Sequence, residues 1–117
     1  MPAKATRESF GETILEVAEK DSRLVVLDAD LSKSTMTQAF MKKFPTRHFE
    51  MGIAEQNMIG VATGLAKNGY IPFCYSITPF AVLRPLEQIL RGPILHHLPV
   101  RIVGAGRNEQ YFPNGET

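Results

Sequence analysis

Apolar and polar positions along this chain alternate between two rhythms, one helical and one extended. Between residues 4 and 20, Phe10, Ile14, Val17 and Ala18 recur at helical spacing, while Arg7, Glu8, Glu12, Glu16, Glu19 and Lys20 mostly take the other side. The spacing predicts an amphipathic helix with Thr6 or Ser9 as its cap, stopped by Asp21-Ser22. Leu24 to Leu27 is an unbroken apolar run, as expected of a strand buried on both faces of a parallel sheet. Ser34 or Thr35 is placed to cap a helix reaching about Lys43, with Met36, Ala39, Phe40 and Phe44 inward, and Pro45 forbids its continuation. Arg47 to Glu50 reads as a short strand with His48 near its rim.

The stretch Met51 to Phe73, MGIAEQNMIGVATGLAKNGYIPF, organises the rest. Gly52 frees the backbone before a helix from about Ala54 to Lys67. That helix is built from small and apolar residues: Ile59, Val61, Ala62, Leu65 and Ala66, with Gly60 and Gly64 four apart. The glycine pair predicts close packing on the sheet or on a partner, at a cost of roughly 1 kcal/mol per glycine against alanine. Asn68-Gly69 ends the helix. Ile71 to Ile77 follows as a strand, with Pro72 near its start where no ladder donor is needed. Thr78-Pro79 turns the chain into a helix over 83–91 with Leu86, Ile89 and Leu90 inward. Val100 to Gly104 reads as a further parallel strand. The sum is an α/β domain with a mainly parallel sheet and helices on both faces.

Composition narrows the function classes. The 117 residues suffice for one domain near the lower size limit of such folds. Thirteen basic and twelve acidic side chains leave a net charge of +1, with no basic patch, so neither nucleic acid nor a membrane surface is indicated as a partner. No apolar run approaches a membrane span and no signal core opens the chain, which makes the cytoplasm the expected compartment. The single cysteine excludes an internal disulfide framework and a CxxC metal site. Cys74, inside an apolar strand, reads as a small buried hydrophobe. His96-His97 is a solvated connection rather than a metal pair, because adjacent side chains diverge. No metal site is expected.

The candidate chemistry is sparse. Glu55 stands in the first turn of the central helix, where the helix dipole favours a carboxylate. Asp28 and Asp30 follow the first strand, and ligands of open α/β sheets bind beyond the carboxyl ends of strands. On spacing alone the two aspartates read as a solvated turn capping the next helix. His48 reads as a core-rim histidine without a functional role.

The string GIAEQNMIGVATGLA followed by G-x-I-P-F closely resembles the pyrimidine-binding domain of the transketolase family, which also includes 1-deoxyxylulose-5-phosphate synthase. Members use thiamine diphosphate, and the resemblance covers nearly the whole chain, 1–117, as a partial domain. It implies that Glu55 is the catalytic carboxylate, bonded to the aminopyrimidine ring, with Ile53, Met58, Phe73 and Phe80 as its neighbours. It further implies that Phe80 stacks on that ring, that Ile53 belongs to the cofactor site and that Asp30, in Ala-Asp-Leu, lies near the cofactor and a subunit contact. Ile77 departs from the pattern, since many members carry a second aromatic there. Arg84 and Asn114 are weaker substrate candidates: Arg84 is one residue out of register with some members, and the family usually has Asp where this chain has Asn114.

The G-D-G…N motif with which thiamine enzymes hold Mg²⁺ and the diphosphate does not occur here, and no phosphate loop replaces it. The resemblance therefore implies a split subunit that shares thiamine diphosphate with a diphosphate-binding transketolase N-terminal subunit, the Mg²⁺ being held by that partner in a homo- or hetero-oligomer. The family histidine expected just beyond Thr117 is absent, so the domain is expected to be incomplete at its C-terminal end. The alternative expectation is a non-catalytic fragment or interaction module of the same fold.

Overall fold

The computed structural model describes residues 3–106, the Ser34 side chain excepted. Asn114 and the segment around it lie outside the described residues. Four parallel strands form one sheet in the order β2-β1-β3-β4: β1 is Leu24–Asp28, β2 His48–Glu50, β3 Ile71–Ile77 and β4 Arg101–Ala105. Helix α1, Thr6–Lys20, and α3, Gln38–Lys43, cover one face. There Ile14, Ala18 and Phe40 close over Leu24 and Val26. Helix α4, Glu55–Lys67, covers the other face, with Met58, Ile59 and Ala62 against Val25, Leu27 and Cys74. All five residues of β1 are buried, so the unbroken apolar run does mark a strand covered on both sides.

The order 2-1-3-4 reverses direction between β1 and β3. That reversal makes the carboxyl ends of these strands the place where an open α/β sheet holds a ligand.

Asp28, at the end of β1, is fully buried rather than part of a solvated turn. The Thr35 hydroxyl lies 2.9 Å from its Oδ1, the Thr37 hydroxyl donates to Oδ2, and His48 Nε2 lies 3.0 Å from Oδ2. A buried carboxylate is tolerated only when its lone pairs are met in this way. His48 thus serves as a hydrogen-bond partner of Asp28 across the β1–β2 pair.

The same cluster explains why the helix expected from residue 34 to Lys43 is broken. Helix α2, Ser32–Thr35, ends at Met36, which takes a left-handed φ of 63°. Helix α3 restarts at Gln38. The break lets Thr35 and Thr37 both reach Asp28. It turns Met36 outward, 39% exposed, instead of inward. Gly11 of α1 admits the Met36 backbone, since a Cβ at Gly11 would sit 2.8 Å from the Met36 carbonyl oxygen.

The first helix is uncapped by side chains: its N-cap is Ala5, neither Thr6 nor Ser9. Val17 is half-exposed, and Ile14, Ala18 and Phe10 carry that helix's contact with the sheet.

Three prolines rearrange the segment after β3. Pro79 is accommodated at the start of α5, Thr78–Val82, because its missing N–H is not needed there, so Thr78-Pro79 opens a helix instead of a turn. Pro85 then interrupts the run, α6 covers only Leu86–Ile89, and a π-helical turn containing Pro93 spans Leu90–Ile94. The single helix expected over 83–91 is therefore replaced by short pieces with shifted faces. Ile89 is buried, whereas Leu86 and Leu90 are exposed. Gly92 lets the π-helical turn touch α4: a Cβ there would meet the Thr63 hydroxyl at 2.5 Å. Gly60 and Gly64, by contrast, face no described neighbour, so the sheet does not use the closeness they allow.

Replacing Asp28 by Ala removes the buried acceptor shared by Thr35, Thr37 and His48, and should lower the unfolding free energy by about 3 kcal/mol in urea denaturation; a loss under about 1 kcal/mol would contradict the role given to the cluster. Burial pushes the Cys74 thiol up to about 12, so a thiol reagent at pH 8 should label the urea-unfolded chain rapidly and the native chain hardly at all.

Candidate functional site

The path from β2 into α4 is set by backbone hydrogen bonds at the sheet's carboxyl edge. Met51 N–H donates to the Asp28 carbonyl at 2.8 Å. Glu50 Oε1 accepts from the backbone N–H of Asp30 at 2.6 Å and of Gly52 at 3.1 Å. Gly52 has a φ of 68° and Asp30 a φ of 59°, both in the left-handed region. Glycine adopts that region freely, and aspartate is among the few other residues that accept it. Glu50 therefore clamps two turns together, and the chain emerges with Glu55 as the first residue of α4.

Glu55 is 5% exposed. Its carboxylate borders a cleft of about 500 Å³ lined by Ile53, Ala54, Glu55, Gln56, Asn57 and Arg84. Arg84 Nη1 lies 3.3 Å from Glu55 Oε1, and the Arg84 guanidinium carbon stands 3.7 Å from the centroid of the Phe80 ring. The Arg84 carbonyl in turn accepts from Gln56 Nε2 at 3.2 Å. Two neighbouring residues of the first turn of α4 thus hold the linker between α5 and α6. A buried carboxylate at a helix N-terminus, open to a cleft, is suited to accept from a polar edge or to share a proton with it. Phe80 offers a flat apolar face beside it.

The structure brings Glu55, Ile53 and Arg84 into one cleft and joins Phe80 to them through the Arg84 side chain. Ile53 is 76% exposed at its mouth. Asp30 is not among the cleft residues; it is exposed and held by Glu50 at the end of β1. Met58 is buried one turn along α4, as expected of a neighbour of Glu55. Phe73 is not a neighbour of Glu55: it lies on the opposite face of the sheet, 6.3 Å from Phe10 between ring centroids. The reason is strand alternation, which sends Phe73 and Tyr75 one way and Cys74 the other.

Gln56 and Asn57 were not singled out from the sequence, although two amides directly after the carboxylate of a helix start were a signal for them. A larger hollow of about 860 Å³ beside Arg7, Phe10, Tyr75 and Val103 shares no lining residue with the cleft at Glu55. His96 and His97 are exposed, and among the described residues no group of three His, Cys, Asp or Glu side chains is placed to hold a metal ion. No described helix is long and apolar enough to cross a membrane.

Comparison with known proteins places this geometry in context. The family model described as transketolase, pyrimidine binding domain, matches residues 2–107. The chain is 50% identical over 100 residues to a putative transketolase C-terminal section of Methanocaldococcus jannaschii, an alignment covering 86% of this chain and 32% of that protein. It is 42% identical over 111 residues to the 6-deoxy-6-sulfo-D-fructose transketolase subunit SqwH of a Clostridium species, covering 95% of this chain and 34% of that one. Among solved structures, a split gene transketolase described as an inactive beta4 tetramer superposes with a TM-score of 0.77 at 46% identity, over 89% of this chain and 34% of that chain. The chain thus spans about a third of the length of these relatives. On the family match, the identity to its relatives and the shared fold, the chain belongs to the transketolase family, and the region it carries is the pyrimidine-binding domain.

Proposed function

We propose that this chain is the pyrimidine-side half of a thiamine diphosphate-dependent transketolase-type enzyme. The reaction is transfer of a two-carbon ketol unit between sugar phosphates, carried out together with a diphosphate-binding partner chain. The observation that carries this reading is the buried Glu55 at the start of α4, lining a cleft with Arg84, whose guanidinium lies over the Phe80 ring. Relatives that are named as a transketolase section and a transketolase subunit support the split arrangement.

The donor set fits the pyrimidine end of the cofactor. Glu55 would accept a hydrogen bond from the ring nitrogen and share its proton, a task favoured by shielding from water. Phe80 would offer the ring a flat wall, and Ile53 would add an apolar contact. Gln56 and Asn57 supply further donors and acceptors along the cleft. Asp30 is assigned to the outer part of the site, toward a subunit contact. Arg84 lines the cleft and is assigned to a phosphate of the sugar substrate. Asn114 keeps its place as a candidate for the substrate side. The bound cofactor supplies a nucleophilic thiazolium carbon, while the protein orients and polarises it. No phosphate loop stands in this chain, so the diphosphate and its Mg²⁺ are assigned to the partner.

Titration calorimetry tests this. Thiamine diphosphate with Mg²⁺ should bind the chain assembled with a transketolase N-terminal subunit far more tightly than it binds the chain alone. Glu55→Gln keeps the shape of the site but removes the acid–base group, and should weaken that binding by about tenfold, roughly the worth of one hydrogen bond to a charged group. Ketol transfer by the pair should fall by a factor of about 10² or more. Absence of binding by the assembled pair, with both chains folded, would reject the proposal.

A further inference from the structure

Arg84 makes two contacts that a bound aminopyrimidine ring would also have to make. Its guanidinium carbon stands 3.7 Å from the centroid of Phe80, and its Nη1 lies 3.3 Å from Glu55 Oε1. One planar group thus covers the aromatic wall and engages the carboxylate at once. Guanidinium is suited to both tasks, being flat, delocalised and rich in N–H donors. An aminopyrimidine is likewise flat and presents a polar edge to a carboxylate. The two groups compete for one place.

The surroundings let the side chain leave while the backbone stays. The Arg84 carbonyl is held by Gln56 Nε2 at 3.2 Å, and Pro85 beside it is buried. The Arg84 side chain itself is 49% exposed, against 6% for Glu55. Rotation about side-chain torsions is enough to carry the guanidinium into solvent. An ion pair with one partner half in water is also readily exchanged.

We propose that Arg84 is a resident cover of the pyrimidine site, seated on Phe80 and Glu55 until an aminopyrimidine ring displaces it. The proposal rests on the reading that Glu55 and Phe80 hold that ring. It adds a condition: ligand affinity is reduced by the fraction of molecules in which Arg84 is seated. Once displaced, the guanidinium is free to face the substrate side of the cleft.

The probe is 4-amino-5-hydroxymethyl-2-methylpyrimidine, which carries the ring and no phosphate and so needs no diphosphate-binding partner. It is titrated by NMR into the whole chain and into Arg84→Met, Arg84→Lys and Glu55→Gln, each checked for native circular dichroism. If the cover is seated in about nine molecules of ten, Arg84→Met binds about tenfold more tightly than the parent chain. Arg84→Lys keeps the charge without the plane and falls between them. Added NaCl screens the half-exposed ion pair, so it raises the affinity of the parent chain and leaves Arg84→Met unchanged. Glu55→Gln loses binding. Equal or weaker binding by Arg84→Met and Arg84→Lys, with Glu55 still required, overturns the cover and leaves the pyrimidine site standing. No Glu55-dependent binding by any folded variant overturns both.

Discussion

A single carboxylate with no access to water holds the carboxyl edge of this sheet together. Burying Asp28 unpaired would cost several kcal/mol, more than a domain of this size can easily lose. Its position at the end of β1 therefore dictates what surrounds it. Thr35 and Thr37 must come from one side and His48 from the other. Those requirements bend the chain at Met36, fix the start of β2 and bring the β1 and β2 ends into register. The Met51 N–H then bonds the carbonyl of the same aspartate, and Glu50 ties the turns at Asp30 and Gly52. Glu55 stands at the end of this sequence of constraints. Its placement is a consequence of Asp28 as much as of its own helix.

In the site built on that edge, Glu55 begins α4, is almost wholly buried, lines a cleft and has the Arg84 guanidinium 3.3 Å from its Oε1. Such a group is held ready for a polar partner instead of being sealed in the core. The family model that matches residues 2–107 is that of a pyrimidine-binding domain, and the chain accounts for about a third of its relatives' length.

Much of this was legible in the sequence because it depends on local order. The buried strand at Leu24, the helix from Glu55 and the strand from Ile71 follow from runs and spacings within a few residues. The motif around Glu55 carried the family and its candidate carboxylate. Asp28 was misread because its partners lie seven to twenty residues away, and no local pattern joins an aspartate to a distant histidine and two threonines. Phe73 was placed beside Glu55 through an aromatic likeness that strand alternation overrules. The helix over 83–91 failed for a local reason: Pro79 starts a helix earlier, Pro85 interrupts the run before α6, and Pro93 lies within the π-helical turn that follows. Arg84 was noticed as a phosphate candidate, but its seat on Phe80 and Glu55 depends on the linker geometry those prolines create.

The most direct test is to watch the Glu55 carboxyl itself. Side-chain carboxyl carbons labelled with ¹³C, assigned through Glu55→Gln and Asp28→Asn, report the surroundings of each acid separately. Thiamine diphosphate with Mg²⁺ is added to the chain assembled with a diphosphate-binding transketolase subunit. The account predicts that the Glu55 signal shifts on addition and that the Asp28 signal, sealed beneath the sheet edge, stays in place. A Glu55 signal that does not move while the ligand binds would contradict it.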